Sequence, residues 1–117
     1  MGRLTTHVLD TSKGMPAAGI PIELHALRDT QQVKIADAVT NADGRTDVPL
    51  LVGPQLVPGV YELTFHMADY FARSGAPVTS PPFLGDVVIR VGLADPQAHY
   101  HVPLLIAPHG YSTYRGS

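Results

Sequence analysis

The chain has 117 residues, 44% of them hydrophobic, and a formal net charge of −2 when its histidines are neutral. This length is typical of one domain with its own core, so we expect residues 1–117 to form a single domain. The balanced charge argues against a nucleic-acid partner, no apolar stretch is long enough to cross a membrane, and the absence of cysteine excludes disulfides and thiolate catalysis.

The first half of the chain consists of short segments in which apolar and polar residues alternate, separated by Gly, Pro, Asn and Asp. Such a pattern is typical of an all-β sandwich or barrel. It predicts strands over residues 4–10, 20–27 and 32–40. The segment 41–45 (NADGR) contains an Asp-Gly pair, which predicts a turn after the third strand.

The second half continues the pattern with one interruption. Residues 68–75 break the alternation, and their alanines and terminal glycine predict two turns of helix. Because each predicted strand has one apolar face, two packed sheets are the simplest architecture. The strands of this half are predicted over 60–67, 85–93 and 98–107, with a short edge strand in the C-terminal GYSTYRGS.

The strand at 98–107 differs from the others because it is apolar on both faces beyond Pro103. A strand of this kind is usually covered on both sides, here by the second sheet and by another subunit. The pattern therefore favours an oligomer. His99 and His101 share one face of the same strand.

Six histidines are many for a chain of this size, and each has a structural interpretation beside a functional one. His101 fits a half-buried histidine with one hydrogen bond, and His7 fits an ordinary strand residue. Arg45 fits a solvated turn residue. Alternate strand residues point the same way, so His99 and His101 also fit a metal pair. The remaining three histidines are assigned no role. The pattern predicts that His25 and His66 are solvated surface residues, and His109 lies in the turn before the last segment.

Four segments taken together carry a family resemblance. They are LTTHVLDTSKGMPAAGIPIEL (4–24), NADGR (41–45), GVYELTFHMADYF (59–71) and HYHVPLLIAPHGYSTYRGS (99–117). In this order and spacing they resemble the 5-hydroxyisourate hydrolases, the transthyretin-like enzymes of purine catabolism. The terminal Tyr-Arg-Gly-Ser is the most specific motif, since it separates these enzymes from transthyretin itself.

The resemblance implies a transthyretin-like (prealbumin-like) all-β sandwich of two four-stranded antiparallel sheets with one short helix. It also implies a homotetramer with substrate sites at the dimer–dimer interface. The implied reaction is hydrolysis of 5-hydroxyisourate at an amide-like C–N bond, which opens the ring to give 2-oxo-4-hydroxy-4-carboxy-5-ureidoimidazoline. The reaction needs no metal or organic cofactor, because the substrate is already activated.

By the same resemblance, His7, Arg45 and His101 are the catalytic residues. Two imidazoles suit the removal of a proton from water and its delivery to the leaving nitrogen. Arg45 would bind the substrate and stabilise charge on its carbonyl oxygen. Substrate binding is further assigned to His7, Tyr114 and Ser117.

Two other functions stay open from the residues alone. One is a non-catalytic, transthyretin-like carrier of a small hydrophobic ligand, and the other is a metal-dependent hydrolase that uses His99 and His101. No signal-peptide pattern precedes the first strand, so we expect a cytoplasmic protein.

Overall fold

The computed structural model describes residues 1–116, which contain nine β-strands, one α-helix and one 3-10 helix. The first five strands are β1 (Arg3–Asp10), β2 (Met15–Pro16), β3 (Pro21–Arg28), β4 (Gln31–Val39) and β5 (Leu51–Val52). The 3-10 helix Gly53–Gln55 follows, and then β6 (Gly59–His66), α1 (Ala68–Arg73), β7 (Asp86–Leu93), β8 (His99–Ala107) and β9 (Gly110–Thr113). Within this range, no helix combines the length and the apolar character that crossing a membrane requires.

Two sheets pack together, which confirms the predicted all-β sandwich with one short α-helix. One sheet has the order β2–β1–β8–β9, and β5 also pairs with β1; the other has the order β4–β3–β6–β7. Two details differ from the expected pair of four-stranded antiparallel sheets. The first sheet has a fifth strand, and β1 runs parallel to β8. The alternation of apolar and polar residues along a strand could not reveal the parallel pairing of β1 and β8. Side chains alternate between the two faces in the same way whether the partner strand is parallel or antiparallel.

The core lies between the two sheets and is built by the alternation along each strand. Its largest fully buried side chains come from both sheets and from α1: Leu4, Leu24, Leu63, Phe65, Phe71 and Leu104. In β1, Leu4, Thr6 and Val8 are all buried. Because successive side chains of a strand point to opposite faces, Thr5 and His7 lie on the outer face of the first sheet.

The parallel pairing of β1 and β8 positions polar residues on that outer face. In its register Thr5 lies opposite His101, and Arg3 lies opposite His99. Residues from the two ends of the chain are thus neighbours across one pair of strands.

The helix fixes the end of β1. The Tyr70 hydroxyl of α1 donates a hydrogen bond of 2.6 Å to the carboxylate of Asp10, the last residue of β1. Burial, together with this bond, raises the pKa of Tyr70 to about 12. The bond therefore joins α1 to the strand that carries His7.

Neither His25 nor His66, the two histidines predicted to be solvated, is fully exposed, whereas His109 in its turn is exposed. The side chain of His66 is 34% exposed, because its Nε2 lies 2.6 Å from Glu23 and its Nδ1 lies 3.0 Å from Asp86. His25 is also partly buried, beside Glu23. The sequence could not show the contacts of His66, because Glu23 lies on β3 and Asp86 lies on β7, beyond the loop that follows α1.

Candidate active site

His7 and His101 are in direct contact. Nδ1 of His7 lies 2.6 Å from Nε2 of His101, a hydrogen-bond distance between two imidazole rings. The ring centroids are 4.8 Å apart and the planes are inclined by 25°. Since the centroid separation is nearly twice the N–N distance, the rings meet edge to edge through these nitrogens. The structure therefore brings together the two histidines that the resemblance assigned to catalysis.

Arg45 reaches the same place because the turn before it packs on β1. The backbone N–H groups of Asp43 and Arg45 donate to the side-chain oxygen of Asn41, at 2.9 and 3.2 Å. The N–H of Val8 donates to the carbonyl of Gly44 at 2.8 Å, and Arg45 forms an isolated β-bridge with His7. The turn thus places Arg45 beside His7.

Only glycine fits the position before Arg45. Gly44 has a φ of +74°, in the left-handed region that side chains disfavour. A Cβ atom there would also collide with the carbonyl oxygen of Val8. The predicted Asp-Gly turn therefore has a second function, which is to let the turn approach β1 closely enough to present Arg45.

Thr5 and His99 belong to the cluster, although the sequence analysis gave Thr5 no role. The Thr5 hydroxyl oxygen lies 2.7 Å from Nδ1 of His101 and 3.1 Å from Nε2 of His99. Threonine is common in β-strands, so its presence alone does not indicate a functional site. The one sequence signal for this cluster is the shared face of His99 and His101, a pattern that also fits a metal pair.

The C-terminal segment closes one side of the site. The Gly116 N–H donates to the His101 carbonyl at 2.7 Å, and the Arg115 guanidinium lies 4.3 Å from the centre of the Tyr100 ring. Tyr114 lines the cavity with 59% of its surface exposed. Ser117, the fifth predicted site residue, lies outside the described residues.

A cavity of about 420 Å³ joins these elements and opens to the surface. Its volume is within the range of small-molecule sites. Its lining includes Thr5, His7, Arg45, His99, His101 and Tyr114. Four of the five predicted site residues therefore line one cavity.

The surroundings of His7 and His101 lower the pKa of both imidazoles. Burial lowers the pKa of His101 to about 4, and the positive charges of His7, Arg45 and His99 add to the effect. Burial and then Arg45 lower the pKa of His7. At neutral pH both rings are therefore unprotonated at one nitrogen, the state that a general base requires.

A metal has little support from the donor set. Within residues 1–116, no three side chains of the usual metal-ligating types converge on one point. Nε2 of His99 and Nδ1 of His101 both lie within hydrogen-bond distance of the Thr5 hydroxyl. A metal shared by these two rings would have to displace that hydroxyl.

The sequence profile of the HIUase/Transthyretin family matches residues 4–116. The chain belongs to this family. It is 53% identical over 117 residues to the 5-hydroxyisourate hydrolase of Pseudomonas aeruginosa, covering all of this chain and 93% of that protein. It is also 53% identical to 5-hydroxyisourate hydrolase 2 of Rhizobium meliloti, covering 99% of this chain and 97% of that one.

Solved structures of the family have the same fold. The 5-hydroxyisourate hydrolase of Klebsiella pneumoniae matches with a TM-score of 0.79 and 39% identity, over 98% of this chain and 99% of that one. Transthyretin of Sparus aurata matches with a TM-score of 0.86 and 27% identity, over 97% and 96%. A structure of (S)-allantoin synthase matches with a TM-score of 0.93 and 44% identity. The match covers 99% of this chain but only 44% of the synthase chain, which is longer. The comparisons confirm the predicted family and the transthyretin-like sandwich.

Proposed function

We propose that the chain is a hydrolase that opens the ring of 5-hydroxyisourate without a metal or organic cofactor. The observation that carries the proposal is the pair of directly bonded, neutral imidazoles beside a guanidinium in an open cavity. The relatives at 53% identity are hydrolases of this substrate, whereas the transthyretin is 27% identical. Identity therefore favours the hydrolase over the carrier.

His7 is the residue best placed to activate water. Both ring nitrogens of His101 are engaged, Nε2 with His7 and Nδ1 with Thr5. The Nδ1 of His7 is engaged too, but its Nε2 has no hydrogen-bond partner among residues 1–116 and belongs to a cavity-lining side chain. A water on this nitrogen loses its proton to His7 as its oxygen attacks the substrate carbonyl.

His101 and Arg45 assist the same step. His101 Nε2 accepts the hydrogen bond from Nδ1–H of His7, so it fixes the tautomer that leaves the cavity nitrogen, Nε2 of His7, unprotonated. The guanidinium of Arg45 offers several fixed donors to the oxygen on which negative charge develops. When the C–N bond breaks, the proton taken by His7 passes to the leaving nitrogen. General acid–base help of this kind is worth on the order of 10²–10⁴-fold.

Tyr114 and Ser117 complete the substrate-binding side of the proposal. Tyr114 stands at the rim of the cavity, and Ser117 directly follows Gly116, which is paired with His101. In this proposal the hydroxyls of the two residues hydrogen-bond a planar, oxygen-rich substrate. The C-terminal residues then act as the wall that orients the ring.

Assembly into a homotetramer, with the cavity at the dimer–dimer interface, is also part of the proposal. All four residues of β9, at the edge of its sheet, are exposed in the single chain, and β7 is an edge strand of the other sheet. Open edges of this kind are usually covered or paired. We further propose that residues 1–117 act as one domain, and the cytoplasmic location stays a prediction.

An absorbance assay tests the proposal directly. Freshly generated 5-hydroxyisourate should decay faster in the presence of the purified protein than in buffer, and exhaustive chelation should not change the rate. A folded protein that gives no acceleration would contradict the hydrolase and favour a carrier. Activity lost on chelation and restored by metal would favour the metal-dependent alternative.

A further inference from the structure

The hydroxyl of Thr5 lies between two imidazoles and can donate to only one of them. Its oxygen is 2.7 Å from His101 Nδ1 and 3.1 Å from His99 Nε2, while its alternative acceptor, the carbonyl oxygen of Tyr100, is 3.5 Å away. Because a hydroxyl has one hydrogen, it accepts from one ring when it donates to the other. When the hydroxyl donates to a ring and not to the more distant Tyr100 carbonyl, the two rings present opposite nitrogen states to it.

This constraint means that the hydrogen bonds of the cluster all run in one donor-to-acceptor direction or all in the opposite one. With all three hydrogen bonds made, His7 Nδ1–H donates to His101 Nε2, and His101 Nδ1–H donates to Thr5. Thr5 in turn donates to His99 Nε2. In this direction His7 Nε2 carries no proton and is a base. Reversing every bond places a proton on His7 Nε2 and makes it an acid.

We propose that Thr5 and His99 extend the His7–His101 pair into a proton relay that connects the cavity with bulk solvent. The proposal rests on the hydrolase function proposed above. His99 is the outer end, since it is exposed, whereas His101 is buried and Thr5 is partly buried. Thr5 is a positioning and relay residue in this scheme and does not contact the substrate.

The relay balances the protons of the first step. Water gives a proton to His7 Nε2 while its oxygen bonds to the carbonyl carbon. His7 passes its Nδ1 proton to His101 Nε2, which passes its Nδ1 proton to Thr5. Thr5 passes its own hydrogen to His99 Nε2, and His99 releases its Nδ1 proton to solvent. One proton enters and one leaves, so no net charge accumulates in the buried ring.

The second step runs the relay backwards. His7 gives its Nε2 proton to the ring nitrogen as the C–N bond breaks. It takes a proton from His101, which takes one from Thr5; Thr5 takes one from His99, and His99 takes one from solvent. The cluster returns to its starting direction, and the sum is the addition of one water across the C–N bond.

The charges around the relay disfavour a second proton on His101, so a proton passes through this ring and is not held there. Arg3 lies opposite His99, and Arg45 approaches from the turn; together with Asp47, they are the other charged residues of the cavity lining. Burial and the surrounding positive charges lower the pKa of His101, so a second proton on this ring is unfavourable. A proton that arrives at Nε2 therefore leaves through Nδ1.

Replacing the hydroxyl tests the relay by turnover. Thr5→Val keeps the shape and removes the link. We expect kcat to fall by about 10- to 100-fold, as large as the cost of losing the partner that orients a metal-ligating imidazole, with little change in KM. Thr5→Ser should restore most of the loss. Thr11→Val is the matched control, because it makes the same substitution at a threonine whose hydroxyl donates to the β8 carbonyl of Ile106 and has no hydrogen bond to a histidine among residues 1–116. Wild-type kcat in Thr5→Val, or an equal loss in Thr11→Val, would overturn the relay.

Replacing the outer histidine tests the exit to solvent. His99→Asn should lower kcat several-fold in dilute buffer, and added imidazole should restore it, because a small base can take over the exchange with solvent. The wild-type rate should not respond to imidazole. A His99→Asn protein whose rate matches wild type and ignores imidazole would overturn the relay.

Ring-nitrogen NMR separates the relay from the proposed activity. In 15N-histidine-labelled protein without substrate, His101 and His99 should show complementary protonation at the nitrogens that face Thr5. Thr5→Val should abolish that complementarity, whatever the protein hydrolyses. If wild type shows it but does not turn over 5-hydroxyisourate, the proposed function fails and the hydrogen-bonded relay stands. If the nitrogens are unchanged in Thr5→Val, the relay fails even in an active enzyme.

Discussion

Each of the two sheets carries a histidine cluster on its outer face, and the two clusters are electrostatic opposites. On the first sheet, burial and neighbouring cations lower the pKa of His7 and that of His101, the latter to about 4. On the second sheet, hydrogen bonding to Glu23 and Asp86 raises the pKa of His66. One environment keeps the imidazole neutral, and the other stabilises the charged ring.

The difference shows that the groups hydrogen-bonded to a histidine determine whether its ring holds or releases a proton. Neither ring of the first cluster bonds a carboxylate within residues 1–116, so a proton taken up there is not held by an ion pair. His66 contacts two carboxylates, and its proton joins β3 to β7 across β6. We therefore expect the first cluster to transfer protons and the second to hold one. The following variants test this contrast.

The largest effect is expected from replacing one histidine in each cluster by asparagine. His101→Asn should lower kcat/KM for 5-hydroxyisourate on the order of 10²–10⁴-fold, because the imidazole that directs His7 is lost. His66→Asn should leave kcat/KM near the wild-type value. Initial rates from ultraviolet absorbance give the comparison, with circular dichroism and sedimentation as controls for folding and assembly. Similar losses in both variants would show that the clusters do not differ in function.

Arg45→Gln should both slow the reaction and move its pH dependence. Loss of a donor to the developing oxyanion should cost roughly 10²-fold in kcat. Arg45 lowers the pKa values of His7 and His101, so its removal should let both rise. The acidic limb of the kcat/KM profile, which reports the free enzyme, should then move to higher pH.

The matched control for that experiment is Arg28→Gln, at the exposed end of β3 on the other sheet. It removes the same charge far from the cavity and should leave the profile in place. An acidic limb that moves equally in both variants would reflect net charge and not the proximity of Arg45.

Gly44→Ala should damage the first cluster through the backbone. The residue needs a positive φ, and its Cβ would collide with the Val8 carbonyl. We expect a loss of more than about 2 kcal/mol in unfolding free energy, together with lower kcat/KM as Arg45 shifts. Denaturant midpoints at one fixed protein concentration measure the loss.

Gly14→Ala isolates the contribution of φ alone. Gly14 also has a positive φ, +65°, but a Cβ there meets nothing within 4 Å. Its substitution should cost only about 1 kcal/mol and leave activity unchanged. If the two alanine variants lose equal stability, the close approach of the turn to β1 is not what requires glycine at 44.

Much of the fold could be predicted from the sequence because alternation reports which face of a strand is buried. It placed every strand of eight or nine residues, the helix after His66 and the edge position of β9. It missed β2 and β5, since two residues are too few to show a period. It also missed the parallel pairing of β1 with β8, because register is a property of two strands and not of either one.

The site was less predictable, for the same reason. His7, Arg45 and His101 came from the family resemblance and not from their spacing. Thr5 is separated from His101 by 96 positions in the chain, so only the β1–β8 register reveals their contact. The carboxylate partners of His66 likewise come from other strands, and its position on the outer face of β6 gave no sign of them.

The smallest expected effect is on the pH dependence of stability, where the clusters should have opposite signs. His66 has a raised pKa in the folded chain, so it contributes stability below its ordinary value of 6.5, and this is lost as pH rises through the folded value. His101 has a lowered pKa, so the unfolded chain takes up a proton near 6.5 that the folded chain refuses until about 4. Stability is therefore lost through His101 as pH falls across that window.

Thermal unfolding of the two asparagine variants between pH 4 and pH 9 separates these contributions. His66→Asn should lower the midpoint relative to wild type at pH 5 and have little effect at pH 9; the change should be small, because solvent screens a ring that is 34% exposed. His101→Asn should instead close part of its gap to wild type at acidic pH, because it removes a ring that resists protonation. If both variants shift the midpoint in the same direction as pH falls, the two environments do not differ in sign, and the distinction between a proton-transferring and a proton-holding cluster fails.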